Sequence, residues 1–413
     1  MHLNFNSFLL SYTPTSQAKY DKSASSAMSP TAKDIRKGIE ENWKEYLSKY
    51  GNLFSSDSIS GSSPPSVFVG SFGYPKVGVG PMVPPIHGDT SLLDLPEKWL
   101  GKTLEEIVNF RLNLVRGIQK VSVLEPQGRY IETLQELAMS QNTPDSDIVF
   151  QKNTMPITTI DGESAPFGPI GEIKTAKFSG MVSSKPIEKT YYDKDLNAQD
   201  AVLKLYNSGI EISKIQKCLS IGMFGKKRKL VPTRWGITAT DDMISKNLVL
   251  EILDCSEVDS YLVFTHEHLG NLFSVMLFPH RWIFEMEEAW HTEKGDVGFG
   301  VDSEDANGID HYPSIAGAYF AAKLGVAEYL KKEKRQAGVL VLREIRPEYA
   351  VPVGVWQVRE AIRAAMSKIP FLAETLEEGI DLACKQMSIS KTEWLSKGIL
   401  LKMLKQKSIT DYF

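Results

Sequence analysis

Apolar residues recur at helical spacing first at Ile35, Ile39, Trp43, Tyr46 and Leu47, which share one helix face. Before them, residues 1 to about 34 are rich in Ser, Thr, Ala and Lys and predict a disordered arm. Val67 to Val69 read as a short strand. Leu104, Ile107, Val108, Leu112 and Val115 predict a helix to Ile118, and Tyr130 to Ser140 predicts another. From 150 to 195 the text turns to Gly, Pro and short apolar pieces, so a sub-boundary is expected there. Asp195 to Leu219 is helical again, with Asn197 as its cap. Tyr261–Phe264 and Leu272–Phe278 are strands joined across Leu269-Gly270-Asn271, a hairpin pattern. A long helix from Ser314 to about Gln336 leads into the buried strand Val339–Leu342. Three helices follow, at 355–367, 372–386 and 392–405. The pattern predicts an α+β core over 35–405, with a β-hairpin and short strands packed by helices and a helical C-terminal part.

Composition narrows this only slightly. The chain has 413 residues, 42% hydrophobic and 24% charged, as in a soluble globular protein. Its net charge of −4 gives no global pull toward nucleic acid, so any such contact must be a local patch. Cys218, Cys255 and Cys384 are far apart, which argues for a reducing cytoplasm and against a cysteine zinc site. No apolar run reaches membrane-spanning length, so no membrane partner is expected.

The strongest local charge is Lys226-Lys227-Arg228-Lys229, followed by Arg234 and Trp235. Clustered cations attract phosphate oxygens, and an indole offers a stacking face. A solvated surface loop is the plain alternative. Between Gly70 and Gly80 the glycines permit tight turns, and Pro75 with no following GK[ST] argues against a nucleotide-phosphate loop. If that backbone approaches a ligand, Tyr74 and Lys76 are its side chains.

Asp241 and Asp242 are adjacent acids that could hold a divalent cation with a third carboxylate, or simply cap a helix. Glu285 lies in a dense acidic stretch, and Asp302, Glu304 and Asp310-His311 add more acid–base text. Glu344 follows a buried strand. Metal-dependent nucleases use such carboxylates to hold Mg²⁺ or Mn²⁺, which makes Asp241, Asp242, Glu285 and Glu344 catalytic candidates. His266 and His268 share a strand face and could ligate a metal if His280, Glu285 or His291 supplied a third donor. Arg359 and Arg363, at i and i+4 on one helix, could face one phosphate or form a salt-bridge network.

Two resemblances sharpen the reading. The last eight residues place Gln406 three before Ile409, and Tyr412-Phe413 three after it. On a tight turn Ile409, Tyr412 and Phe413 form one apolar plug with Gln406 beside it. The octet resembles the PIP box, the peptide that docks on the replication sliding clamp PCNA. Pro64–Gly70, Gly73–Val77, Val231–Trp235, Lys334–Ala337, Arg343–Ile345 and Gly354–Glu360 resemble the archaeal Nre family of DNA-repair proteins, and the resemblance runs from about Pro64 to Phe413. It implies a role in the response to DNA damage, with DNA and PCNA as partners and residues 406–413 as the clamp-binding peptide. Some Nre proteins begin with a cysteine-rich, zinc-finger-like segment. This chain has no Cys before Cys218, so no zinc finger is expected. Two roles stay open for the core, a metal-dependent nuclease and a non-catalytic adaptor between the clamp and another repair factor.

Overall fold

The computed structural model describes residues 3–4, 31–160, 162, 164–291 and 296–400. The clamp-like residues Gln406, Ile409, Tyr412 and Phe413, and most of the expected arm, lie outside the described residues. The chain forms two compact units. The first holds residues 1–237 and 350–353, and the second holds 238–349 and 354–413. Helices and strands alternate through both, giving the α+β class expected.

In unit 1 the first helix, α1 (Ala32–Tyr50), starts three residues before Ile35. The reason is a capping box: the Thr31 hydroxyl accepts from the Asp34 amide, and the Asp34 carboxylate accepts from the Thr31 amide. Six strands follow, β1 (Ser58–Ser62), β2 (Val67–Val69), β3 (Lys76–Val83), β4 (Val115–Ser122), β5 (Asp145–Phe150) and β6 (Ile170–Ser179). They form one sheet in the order β1-β5-β6-β4-β3-β2. The helix expected to run to Ile118 stops as α2 (Leu104–Leu112). Both the backbone N–H and the side-chain amide of Asn113 donate to the Asn109 carbonyl, ending the helix and freeing Val115 onward to pair with β3 and β6. Within the stretch 150–195, β6 pairs antiparallel with β5, and both strands belong to unit 1. Helix α3 (Arg129–Met139) precedes β5 in the chain, and α4 (Lys185–Tyr192) follows β6. The helix expected over 195–219 is two, α5 (Ala198–Asn207) and α6 (Ile212–Ser220), divided at Gly209, whose φ of +75° suits a glycine.

Helix α7 (Thr233–Ile252) begins in unit 1 and continues into unit 2. Unit 2 is built on a second six-stranded sheet from β7 (Tyr261–His268), β8 (Asn271–Phe278), β9 (Ile283–His291), β10 (Val297–Glu304), β11 (Gly338–Ile345) and β12 (Phe371–Ala373). Its order is β10-β9-β11-β8-β7-β12. The hairpin β7–β8 turns at Leu269-Gly270, both at positive φ. Helices α8 (Ala316–Glu333) and α9 (Trp356–Met366) lie on one face, where Phe264 meets Tyr329 and Phe284 meets Tyr319 edge-on. On the other face α10 (Leu376–Cys384) and α11 (Lys391–Lys397) close a core of Val263, Met276, Leu340, Leu342, Ile380 and Trp394. Two expected helices are shortened. Residues 371–373 pair with β7 before the Thr375 cap starts α10, and α11 ends at Lys397 with Gly398 as its cap, residues 401–405 of the expected helix lying outside the described residues.

Candidate nucleic-acid interface

The β2–β3 connection is held at both ends. The Gly70 amide donates to the Gly78 carbonyl at 2.8 Å, and the Lys76 amide donates to the Gly73 carbonyl at 3.0 Å. Gly73 sits at φ +83°, and a Cβ there would lie 2.9 Å from the Lys76 carbonyl oxygen, so the turn needs a glycine. A loop this tight has no interior. Phe72 is 88% exposed and Tyr74 55% exposed, and Lys76 stands beside them in solvent.

Backbone bonds bring the basic loop to this point. The Val123 amide, just past β4, donates to the Pro75 carbonyl at 2.9 Å, while the Val123 carbonyl accepts from Leu230 at 3.0 Å. One residue therefore ties the Phe72–Lys76 loop to the Lys226–Lys229 loop. The Thr233 hydroxyl accepts from the Val69 amide at 2.9 Å, which sets the start of α7 against β2. Trp235, 45% exposed, then lies with its ring centroid 6.0 Å from that of Tyr74. From the neighbouring strand, Lys120 reaches within 6.0 Å of the Phe72 ring. Lys226, Lys227, Lys229 and Arg234 are exposed. Arg228 is not part of this surface. Its guanidinium packs 4.5 Å from the Tyr191 ring centroid and donates to the Tyr191 carbonyl.

The remaining candidates sit in unit 2 and do other work. Asp241 is fully buried, and both its oxygens accept from Arg359 Nη1 at 2.8 and 2.9 Å. Burial pushes its carboxyl up, opposed chiefly by the Arg359 charge. Arg359 is itself 1% exposed, so it faces no external phosphate. Arg363 bonds Glu328 at 2.6 and 2.7 Å and Glu360 at 3.0 Å, the salt-bridge network rather than the phosphate site. Asp242 pairs with Lys246 at 2.8 Å. Glu285 accepts from the amides of Ile399 and Leu400, and Glu344 from those of Ser388 and Ile389, from the Ser388 hydroxyl and from Arg346. These hydrogen bonds hold the Glu344 carboxyl low against the burial that raises it. In the β9–β11 register Glu285 stands opposite Leu340, while Glu344 stands opposite Ala289. The two carboxylates are thus four residues, roughly 13 Å, apart along the strands. The four acids do not converge, and among the described residues no three His, Cys, Asp or Glu side chains are spaced to hold a metal ion.

His266 and His268 do share a face of β7, with ring centroids 6.3 Å apart. Strand alternation and pairing put Glu285 and His291 on the opposite face of the sheet, Glu285 at the Ile399 and Leu400 amides and His291 beside Ser388, so neither completes a site. Burial lowers both imidazoles, His268 to about 4, and the His268 ring lies edge-on to Trp356. A separate cavity of about 720 Å³ in unit 1 is lined by Asp94, Ser140, Lys214 and Lys217. Its cations are spent within it, Lys217 on Asp94 at 2.7 Å and Lys214 on the Ser140 carbonyl, and none of its lining residues belongs to the aromatic loops.

Comparison with known proteins assigns the chain. The family model for the N-terminal part of archaeal Nre matches residues 36–294, and that for the C-terminal part matches residues 304–412. The chain belongs to the archaeal Nre family. It is 38% identical to DNA repair protein NreB of Archaeoglobus fulgidus, over 86% of this chain and 92% of that one. DNA repair protein NreA of the same organism is 34% identical, over 85% and 89%, and NreA of Haloferax volcanii is 30% identical, over 91% and 94%. No solved structure matches the chain.

The Nre-like segments divide by role. Pro64–Gly70, Gly73–Val77 and Val231–Trp235 build the aromatic and basic surface of unit 1. Lys334–Ala337, Arg343–Ile345 and Gly354–Glu360 contribute buried polar side chains to unit 2. There Gln336 bonds Trp282, Leu253 and Cys255, Arg343 bonds Asn271 and Glu288, and Gln357 donates to the His268 carbonyl. Phe72 and Lys120 escaped the sequence reading of this Nre chain. The available signal was an aromatic set between Ser71 and Gly73, in a Gly- and Pro-rich turn that belongs to no regular element.

Proposed function

We propose that this Nre protein acts in DNA repair, holding DNA on the aromatic and basic surface of unit 1 while its C-terminal peptide recruits it to PCNA. The observation that carries the first half is the junction at Val123, which gathers two basic loops and three exposed rings into one surface. The segments 70–80 and 223–237 contain six basic residues and no acidic one, in a chain whose net charge is −4. The printed names of its relatives, DNA repair proteins NreA and NreB, support the pathway. The second half is supported by Gln406, Ile409, Tyr412 and Phe413 at PIP-box spacing, the first three within the match to the C-terminal Nre model, which ends at residue 412. The core in this proposal binds and positions DNA. Asp241, Glu285 and Glu344 are already committed to guanidinium and backbone donors, so no nuclease step is assigned to them.

Calorimetry against PCNA tests the recruitment. The full chain should bind in the micromolar range, about −8 kcal/mol, the gross gain from the Ile and two rings being offset by ordering a chain end. Truncation after Lys405 should abolish clamp binding and leave both Tm and DNA binding nearly unchanged. Retained clamp binding would remove the peptide from the proposal. A large fall in Tm would mean that its aromatics pack within the protein.

A further inference from the structure

We propose that the unit 1 surface selects unpaired bases, so that its preferred substrate is single-stranded or locally opened DNA. This rests on the DNA-binding role proposed above and names its substrate class. Lysines alone cannot make that choice, because duplex and single strand both present phosphates. Exposed rings can. A base offers a free π-face only when it is out of the duplex stack, and stacking on an aromatic side chain accepts any base.

The surface has the parts this requires. Phe72 projects 88% exposed from a turn whose backbone is pinned by Gly70–Gly78 and Gly73–Lys76 hydrogen bonds, so the ring is presented on a fixed support. Tyr74 and Trp235 form a second station. Their centroids are 6.0 Å apart at 53°, too close and too tilted to admit a base between them, which leaves the outer ring faces for stacking. Cations flank both stations. Lys120 lies 6.0 Å from the Phe72 ring, Lys76 follows Tyr74 by two residues, and Arg234 precedes Trp235. Lys226, Lys227 and Lys229 continue the positive edge through the Val123 junction. A strand crossing this surface would set bases on the rings and phosphates on the cations. The tied loops reduce the ordering cost of binding.

The test is fluorescence anisotropy with the full chain, titrated onto labelled oligothymidine, onto an abasic phosphodeoxyribose strand of the same length, and onto a duplex of that length. Wild type should favour oligothymidine over both others. F72A and W235A should each weaken oligothymidine binding roughly tenfold, leaving duplex and abasic binding unchanged. F72L should behave as F72A, and W235F should retain most of the affinity, since the flat ring is what stacks. Both positions are solvent-facing, and an unchanged Tm confirms that the four variants fold. Equal binding of oligothymidine and the abasic strand by wild type would overturn the proposal. So would ring variants that lose duplex and single-strand binding alike, or neither. Failure of DNA binding altogether has a different signature, in which replacing Lys226, Lys227 and Lys229 changes nothing on any of the three substrates.

Discussion

Replacing Lys226, Lys227 and Lys229 with Ala should change the salt dependence of duplex binding by an amount the structure fixes. Each phosphate neutralised by a cation contributes about −0.9 to the slope of log K against log salt, through counterion release. Four adjacent basic residues would suggest a change of about 3.6 on removal. Arg228, however, is folded onto Tyr191, with its guanidinium on the ring and on the carbonyl. Three exposed lysines remain, so the slope should flatten by about 2.7. For a tenfold rise in salt, wild type should lose about 500-fold more affinity than the triple variant. The control is Arg228→Ala. It should leave the slope unchanged and cost about 1 kcal/mol of stability, from the lost cation–π and hydrogen-bond contacts.

Anisotropy titrations from low to moderate salt measure both slopes, and urea denaturation measures the control. A triple variant with the wild-type slope would remove the loop from the DNA contact. A slope change in Arg228→Ala would show that the guanidinium leaves Tyr191 to meet a phosphate, refuting the division of the four residues made here.

Two further outcomes concern unit 2. Arg359→Met should cost about 3 kcal/mol, because it strips a partner from the fully buried Asp241 while Arg363 still opposes the charge from nearby. Asp241 then rises further, so the loss should shrink as pH falls toward the unfolded value of about 3.9, and an unchanged urea midpoint at pH 7 would refute the pairing. His268, lowered to about 4 by burial and by His266, makes the native state hold fewer protons than the unfolded state between pH 6.5 and about 4. Stability should therefore fall on acidification through that window, by up to about 1.4 kcal/mol per pH unit. His268→Phe should flatten this part of the curve, and an equal acid slope in the variant would show that His268 does not cause it.

Periodicity located the helices and hairpin of both units because their apolar faces are long enough to repeat. Ile35 to Leu47 and the Ala-rich run of α8 are legible for that reason. Errors fell where one polar residue decides between continuations. Asn113 stops α2 by bonding the Asn109 carbonyl, and nothing in the apolar spacing of Val115 and Ile118 announces that the chain has changed from helix to strand. Pairing of β5 with β6 was invisible as well. Its register joins residues about thirty positions apart, and sequence spacing carries no record of which strand edges meet.

The interface shows a sharper asymmetry. Charge is legible because four adjacent cations need no partner to be noticed, yet whether each faces solvent depends on distant residues. Arg228 was withdrawn by Tyr191, thirty-seven positions away. Arg359 and Asp241 looked like a phosphate ligand and a catalytic acid, but each is the other's buried counter-ion across 118 positions. Opposite charges that are candidates for separate sites are also candidates for each other, and burial decides between the two outcomes because an unpaired ion in the interior is too costly to keep. Phe72 obeys the reverse logic. Among the described residues nothing covers it, although a ring of that size is normally buried. The residues most informative about function are those for which the fold supplies no local use. In unit 1 these are the rings at 72, 74 and 235, held at the meeting point of two basic loops.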